Sequence, residues 1–166
     1  MNAAMKAGIM IGILCGIWTL VMGITGWYKD PVLLAVFWVV IPIQIGVLIW
    51  GLRQTAAAGK TYGGQIAAGT LMSLVGGIIL FFVSLLFTTV LFPNYFEELR
   101  MAQVEMLRAA GKTEAEISDL VTASASTQTP FMQALMGFLG TIVTGFVVSL
   151  ILGIFIKRKE QPPAAA

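Results

Sequence analysis

Apolar residues run almost unbroken through four blocks of the chain, at about 7–28, 31–52, 65–92 and 131–156, with polar residues gathered between them. Each block is long enough to cross a bilayer as a helix, which takes ~20 residues. The first is uncharged between Lys6 and Lys29 and has no small-residue cleavage site after it, and Leu14 before Cys15 does not fit a lipoprotein signal. It therefore reads as a retained span, with Trp27 and Tyr28 as interfacial anchors. Lys29-Asp30-Pro31 forms the turn into the second span, with Pro31 as its first helical residue. Pro42 stands near the middle of that span and is expected to kink it. Gln44, two residues on, needs a partner at depth. A packed kink is the simpler reading of this pair, and a solute site is the alternative. Arg53–Gly64 reads as a polar loop, and the third block, longer than ~30 Å of hydrocarbon requires, must tilt or emerge.

Within three of the blocks small residues recur every fourth position. Gly8, Gly12 and Gly16 form one such stripe, and Gly69, Ser73 and Gly77 a second. The longest is Gly137, Thr141, Gly145, Ser149 and Gly153. These stripes are helix-packing signals, because small side chains let helix backbones approach closely in lipid. A four-residue step overshoots a 3.6-residue turn by ~40°. One straight neighbour therefore cannot use all five members of the longest stripe, so it either follows a right-handed crossing or meets two neighbours.

The stretch 93–130 breaks the apolar pattern. Asn94 with Glu97 has the form of a capping box, Gly111 that of a helix stop, and Thr113 with Glu116 opens a second short helix. Tyr95, Phe96, Leu99, Ala102, Met106, Leu107 and Ala110 share one arc, and Glu97, Glu98, Glu105 and Arg108 the other. The prediction is an extramembrane amphipathic helical hairpin between the third and fourth spans. Tyr95, Phe96, Leu99, Met106 and Leu107 are its candidate partner face, resting on lipid, on the spans or on another protein. The last residues, 160–166, read as a disordered tail.

Composition agrees with a membrane protein. Of 166 residues 58% are hydrophobic and 11% charged, against ~25% charged in soluble domains, and the mean hydropathy is +0.90. The fold class expected is all-α, a single integral membrane bundle of four transmembrane helices. Charge then sets its orientation: Lys6, Arg53, Lys60 and Lys157-Arg158-Lys159 flank one side, while 93–130 carries six of the eight acidic residues. The positive-inside rule places both termini in the cytoplasm and 93–130 outside it.

Candidate chemistry is sparse. There is no histidine and one cysteine, which removes the commonest metal ligand, an intramolecular disulfide and most nucleophile–base pairs. No Asp, Glu, Lys, Arg or His falls inside a predicted span, which argues against proton-coupled transport. The carboxylates of 93–130 lack EF-hand spacing, and Gly59-Lys60-Thr61 is too short a fragment of a phosphate loop. No catalytic residues, cofactor, metal or nucleic-acid partner are expected. The reading is a non-enzymatic structural or accessory protein, partnered by the bilayer and by a second copy or another membrane protein. The alternative is a channel or carrier for a neutral or lipid-like solute, sited at Pro42 and Gln44.

Several short motifs carry a family likeness. They are Lys6-x-Gly8, Lys60-Thr61-Tyr62-Gly63-Gly64-Gln65 leading to Gly69, Leu91-Phe92-Pro93-Asn94-Tyr95, and Gly111-Lys112-Thr113-Glu114-Ala115-Glu116-Ile117, with a glycine-rich last span ending in lysines. From about Lys6 to Lys159 the chain resembles the bacterial membrane proteins grouped as domain of unknown function 4199. That resemblance implies four transmembrane helices with a helical excursion before the last, in a bacterial cytoplasmic membrane. It implies no activity and transfers no functional residue.

Overall fold

The computed structural model describes residues 2–30 and 32–156. Pro31 as a helix start and the tail at 160–166 lie outside the described residues. Six α-helices follow in order: α1 (Ala3–Thr25), α2 (Val40–Ala57), α3 (Tyr62–Leu86), α4 (Tyr95–Ala109), α5 (Glu114–Ala125) and α6 (Pro130–Phe155). A 3-10 stretch, Leu33–Val39, leads into α2, and a π-helical turn, Phe87–Leu91, extends α3. Among the described residues there is no strand. Four helices, counting those extensions, are long and apolar enough to cross a membrane: Ala3–Thr25, Leu33–Ala57, Tyr62–Leu91 and Pro130–Phe155. Ile17, Phe82, Val143 and Ile151, all more than half exposed, turn outward from them, where only lipid can cover so much apolar surface.

The ends of the spans differ from the sequence pattern where local hydrogen bonding overrides hydropathy. Asn2 caps α1 through its side chain to the Met5 N–H, so this helix begins before Lys6. Gly26, at φ +70°, stops it in a left-handed turn that other residues resist. Helix α2 continues past Arg53 to Ala57, leaving only a short connection before Thr61 caps α3. Within the span Leu33–Ala57, Pro42 stands in the first turn of α2, just past the change from 3-10 to α winding. Tighter winding upstream uses carbonyls three residues back, which relieves the demand for the N–H that proline lacks.

Helix α3 is central, with α1 and α6 packed along much of its length and α2 contacting all three. The small-residue stripes make those approaches. A Cβ at Gly8 would stand 2.7 Å from Val75 Cβ, and one at Gly12 2.6 Å from Ile79 Cβ. At Gly16 it would lie 3.4 Å from Val83. The α1 groove thus takes a four-spaced β-branched ridge of α3 running in the same direction. In return Ile11 seats over Gly76.

Against α6 the fit is reciprocal and antiparallel. The Ser149 side chain fills the space above Gly69, and the Ser73 side chain that above Gly145. Phe138 closes over Gly77, and Tyr62 over Gly153, at 3.0 and 3.1 Å from where a Cβ would be, inside ordinary van der Waals contact. Tyr62 also donates to the Leu150 carbonyl at 3.2 Å. The Thr141 carbonyl accepts from Gln44 of α2 instead, and nothing lies within 4 Å of a Cβ built at Gly137. Three members of the longest stripe therefore serve α3, one serves α2 and Gly137 packs against nothing, as the ~40° drift per step requires.

Outside the spans, Thr113 and Glu116 complete the capping box of α5, and Gly111 at φ +77° ends the turn before it. Asn94 precedes α4, but its side chain caps nothing, so the box read from Asn94 and Glu97 does not form. Its ψ of 5° keeps Asn94 out of the extended conformation from which a cap side chain reaches back. Arg108 pairs with Glu114 across the turn at 2.8 Å, and Lys112 with Glu116 at 3.0 Å.

Candidate functional site

The described side chains with chemistry gather where α4 meets the ends of α1 and α3. Four local features bring them there. The left-handed turn at Gly26 starts a 3-10 turn, Trp27–Lys29, that carries Tyr28 inward to 4% exposure. Gly23 leaves room for the Phe92 ring, which would stand 2.6 Å from a Cβ there. The π turn at the end of α3 buries Phe87 and Thr88, a departure from α winding often found at functional sites. Finally Phe92, Pro93 and Asn94 reverse the chain so that Tyr95, the first residue of α4, lands on Phe87.

The rings form one cluster. Tyr28 and Tyr95 lie 4.9 Å apart between centroids, Phe87 and Tyr95 5.3 Å, Phe87 and Phe92 4.6 Å, and Tyr95 and Phe96 5.1 Å. Such pairs contribute ~0.5–1.5 kcal/mol each beyond the area they bury. Leu20, Leu34 and Leu99 pack around them.

Polar groups close both sides of the cluster. The Tyr28 hydroxyl donates to Glu98, and Lys29 Nζ donates to Glu98 Oε1 at 3.0 Å. Lys29 Nζ also lies 5.6 Å from the Tyr28 ring centroid, within cation–π range. On the inner side Gln133 Nε2, from α6, donates to the Tyr95 hydroxyl at 3.3 Å. The Tyr28 hydroxyl and then the Lys29 ammonium hold the Glu98 carboxyl below its usual range. Burial first, then Glu98, pushes the Tyr28 phenol up, so it stays a donor at neutral pH. Burial likewise raises Tyr95, against the Gln133 bond.

A carboxylate whose value is depressed on folding stabilises the fold above its unfolded value and loses that contribution as pH falls through the folded one. Acidification below the ordinary carboxylate range is therefore expected to loosen α4 from the bundle. Protection of α4 amides, relative to their intrinsic exchange rates, should fall at low pH in the native chain and fall less in Glu98→Gln. Equal acid responses in the two proteins would remove Glu98 from this role.

Two cavities flank the cluster, and Tyr28 and Tyr95 are the residues common to both. The outer one, about 580 Å³, is bordered by Lys29, Glu98, Asn94 and the turn at Gly26. The inner one, about 280 Å³, lies between the spans against Thr19, Leu34, Phe37, Trp38, Ser84 and Gln133. Small-molecule sites occupy ~300–1,000 Å³, so the outer cavity is of that size and the inner one falls just below it. No three His, Cys, Asp or Glu side chains come together among the described residues to hold a metal.

The residues singled out in the sequence lie elsewhere or divide between roles. Gln44 is buried and donates to the Thr141 carbonyl at 2.7 Å and to Ser73 Oγ at 3.3 Å. Pro42 is exposed, and neither residue lines either cavity. Of the candidate partner face, Tyr95 is buried and Phe96 and Leu99 pack on the aromatic cluster. Leu107 is half-buried and Met106 is exposed. Gly8, Gly12, Gly16, Gly69, Ser73, Gly77, Gly145, Ser149 and Gly153 all face neighbouring helices of the same chain.

Tyr28, Lys29, Glu98 and Gln133 were not distinguished by sequence. Tyr28 resembled an interfacial anchor and Glu98 a solvated residue. Gly23, three residues before the Gly26 turn, is a local sign of the close approach of Phe87 and Phe92 there. The fully buried Gln65, whose Oε1 accepts from Thr55, was also missed; its Nε2 has no partner in the structure.

The sequence profile of the family described as "Protein of unknown function (DUF4199)" matches residues 6–158. No curated protein and no solved structure matches the chain. With four apolar spans and a profile match over nearly its whole length, the chain belongs to the DUF4199 family.

Proposed function

We propose that this protein is a non-enzymatic accessory component of a bacterial cytoplasmic membrane, with both termini in the cytoplasm. On this reading α4 and α5 form an amphipathic hairpin outside the membrane, which meets a second copy or another membrane protein. One observation carries it: the start of α4 is fixed to the bundle while methionines farther along the same helix stay exposed. Tyr95, Phe96, Leu99 and Glu98 tie its start to the bundle, while Met101 and Met106 are 58% and 48% exposed. Flexible, polarizable methionine suits an adaptable contact surface. Apart from Gly137, the small-residue stripes are used within the chain, mostly between α1, α3 and α6. Oligomerisation, where it occurs, would therefore run through the hairpin.

Photo-crosslinkers at Leu99 and Met106 in intact cells test this. Met106 should join a second copy or another membrane protein, whereas Leu99 should join only its own chain near Phe92. Identical products from the two positions, or none between chains from Met106, would count against an accessory role. Gln44 spends its amide on Ser73 and Thr141, which disfavours a solute site at Pro42 and Gln44. A lipid-like ligand has better support at the inner cavity.

A further inference from the structure

We infer that the inner cavity is a binding site for one small neutral, lipid-soluble molecule with a ring body and a carbonyl oxygen. This rests on the four spans, and on neither the accessory role nor the face of the membrane that the hairpin occupies. The buried Tyr28 and Tyr95 rings separate this cavity from the outer one. Its other walls come from α1, the 3-10 lead into α2, α3 and α6. Phe37 and Trp38 line it and are also exposed on the outside of their span, Trp38 by 65%. The 3-10 segment that carries them has no buried residue. A guest therefore enters from the bilayer, past these two side chains, and not from water.

Size and charge limit the guest. An apolar cavity of ~150 Å³ holds benzene, so one of about 280 Å³ accepts one or two fused rings. Among the described residues no charged side chain borders it, and an ion there would lose its hydration without a partner. Met22, Leu34, Phe37, Trp38 and Phe87 supply apolar and aromatic wall, against which a ring gains most.

Hydrogen bonding selects the carbonyl. The Tyr28 hydroxyl is spent on Glu98, and Thr19 donates to the Cys15 carbonyl at 3.0 Å. Gln133 and Tyr95 share one hydrogen bond, which leaves the Tyr95 O–H and the second amide N–H without an acceptor among the described residues. Turning the amide over would give the tyrosine an acceptor but leave both N–H groups bare. Either way the pair keeps two unused donors beside the cavity, and donors shielded from water are costly to leave unpaired. A carbonyl oxygen has two lone pairs and can take both. Ser84 adds a hydroxyl from α3.

Equilibrium dialysis of the full chain in phosphatidylcholine nanodiscs, corrected with protein-free discs, tests the site with α-tetralone and tetralin. These two bicyclic probes differ only at one carbonyl. The native chain should hold one α-tetralone, roughly tenfold more tightly than tetralin. Tyr95→Phe combined with Gln133→Met removes both unused donors and should erase most of that preference while tetralin binds as before. Ser84→Leu, which fills the cavity from α3, should weaken both probes alike. Equal binding of the two probes by the native chain, or no saturable binding of α-tetralone, overturns the proposal. So does an unchanged preference in the double variant, or undiminished binding in Ser84→Leu, where the spans keep their hydrogen-exchange protection. Should a variant lose its fold, the native comparison decides alone. Crosslinking from Met106 is independent of every one of these results.

Discussion

Replacing Gly69 by serine is expected to destabilise the bundle by about 1–3 kcal/mol, and adding Ser149→Gly to restore most of the loss. A Cβ on Gly69 would stand 2.8 Å from Ser149 Cβ, with the Ser149 hydroxyl nearer still. In a close-packed interface that overlap is relieved only by moving α6 away from α3, and lost contact is the main cost between helices in lipid. Ser149 Oγ is buried without a hydrogen-bond partner, so its removal breaks no bond. The pair therefore exchanges small for large across one register position. Reversible unfolding in detergent, read as a double-mutant cycle, should show strong positive coupling. Additive single effects would mean that α3 and α6 do not meet in this register.

Tyr95→Ala is expected to free the hairpin at a cost of about 3–5 kcal/mol, the range for deleting a large buried aromatic side chain. Tyr95 touches the rings of Tyr28, Phe87 and Phe96 and accepts from Gln133. It thereby joins α4 to the Trp27–Lys29 turn, the π turn and α6. Hydrogen exchange should rise throughout α4 and α5 while α1, α3 and α6 keep their protection. Tyr95→Phe keeps the ring and forgoes one hydrogen bond, so its effect should be near 1 kcal/mol. Comparable loosening in both variants would assign the docking to the hydroxyl and not to the ring cluster.

How much of this was legible in the sequence follows from what each signal measures. Hydropathy over 20 residues located all four spans, because the lipid requirement acts on the whole segment. The four-residue spacing picked out most of the close helix approaches. It could not say which neighbour each stripe would meet, and it included Gly137, which meets none. Helix caps were legible where the side chain and backbone agree, as at Thr113 and Glu116. They misled at Asn94, where the descent of Tyr95 onto Phe87 fixes the backbone first.

The aromatic site was harder. Its residues come from the ends of α1 and α3 and the starts of α4 and α6, and no periodicity relates them. Tyr28 and Glu98 are 70 positions apart, and each alone has an ordinary explanation at a membrane surface. The π turn that buries Phe87 leaves no distinctive residue pattern either. Only the assembled ends show that an apparently solvated carboxylate accepts from both Tyr28 and Lys29.

Sided labelling of single cysteines tests the membrane arrangement most directly. Thr122, in α5, and Ala57, at the end of α2, are both exposed, and Cys15, which is buried, can be replaced to clear the background. With an impermeant thiol reagent applied to intact cells, Thr122→Cys should react and Ala57→Cys should react only after permeabilisation. Labelling of both positions from the same side would contradict the four-span arrangement, and the reverse pattern would put the hairpin in the cytoplasm.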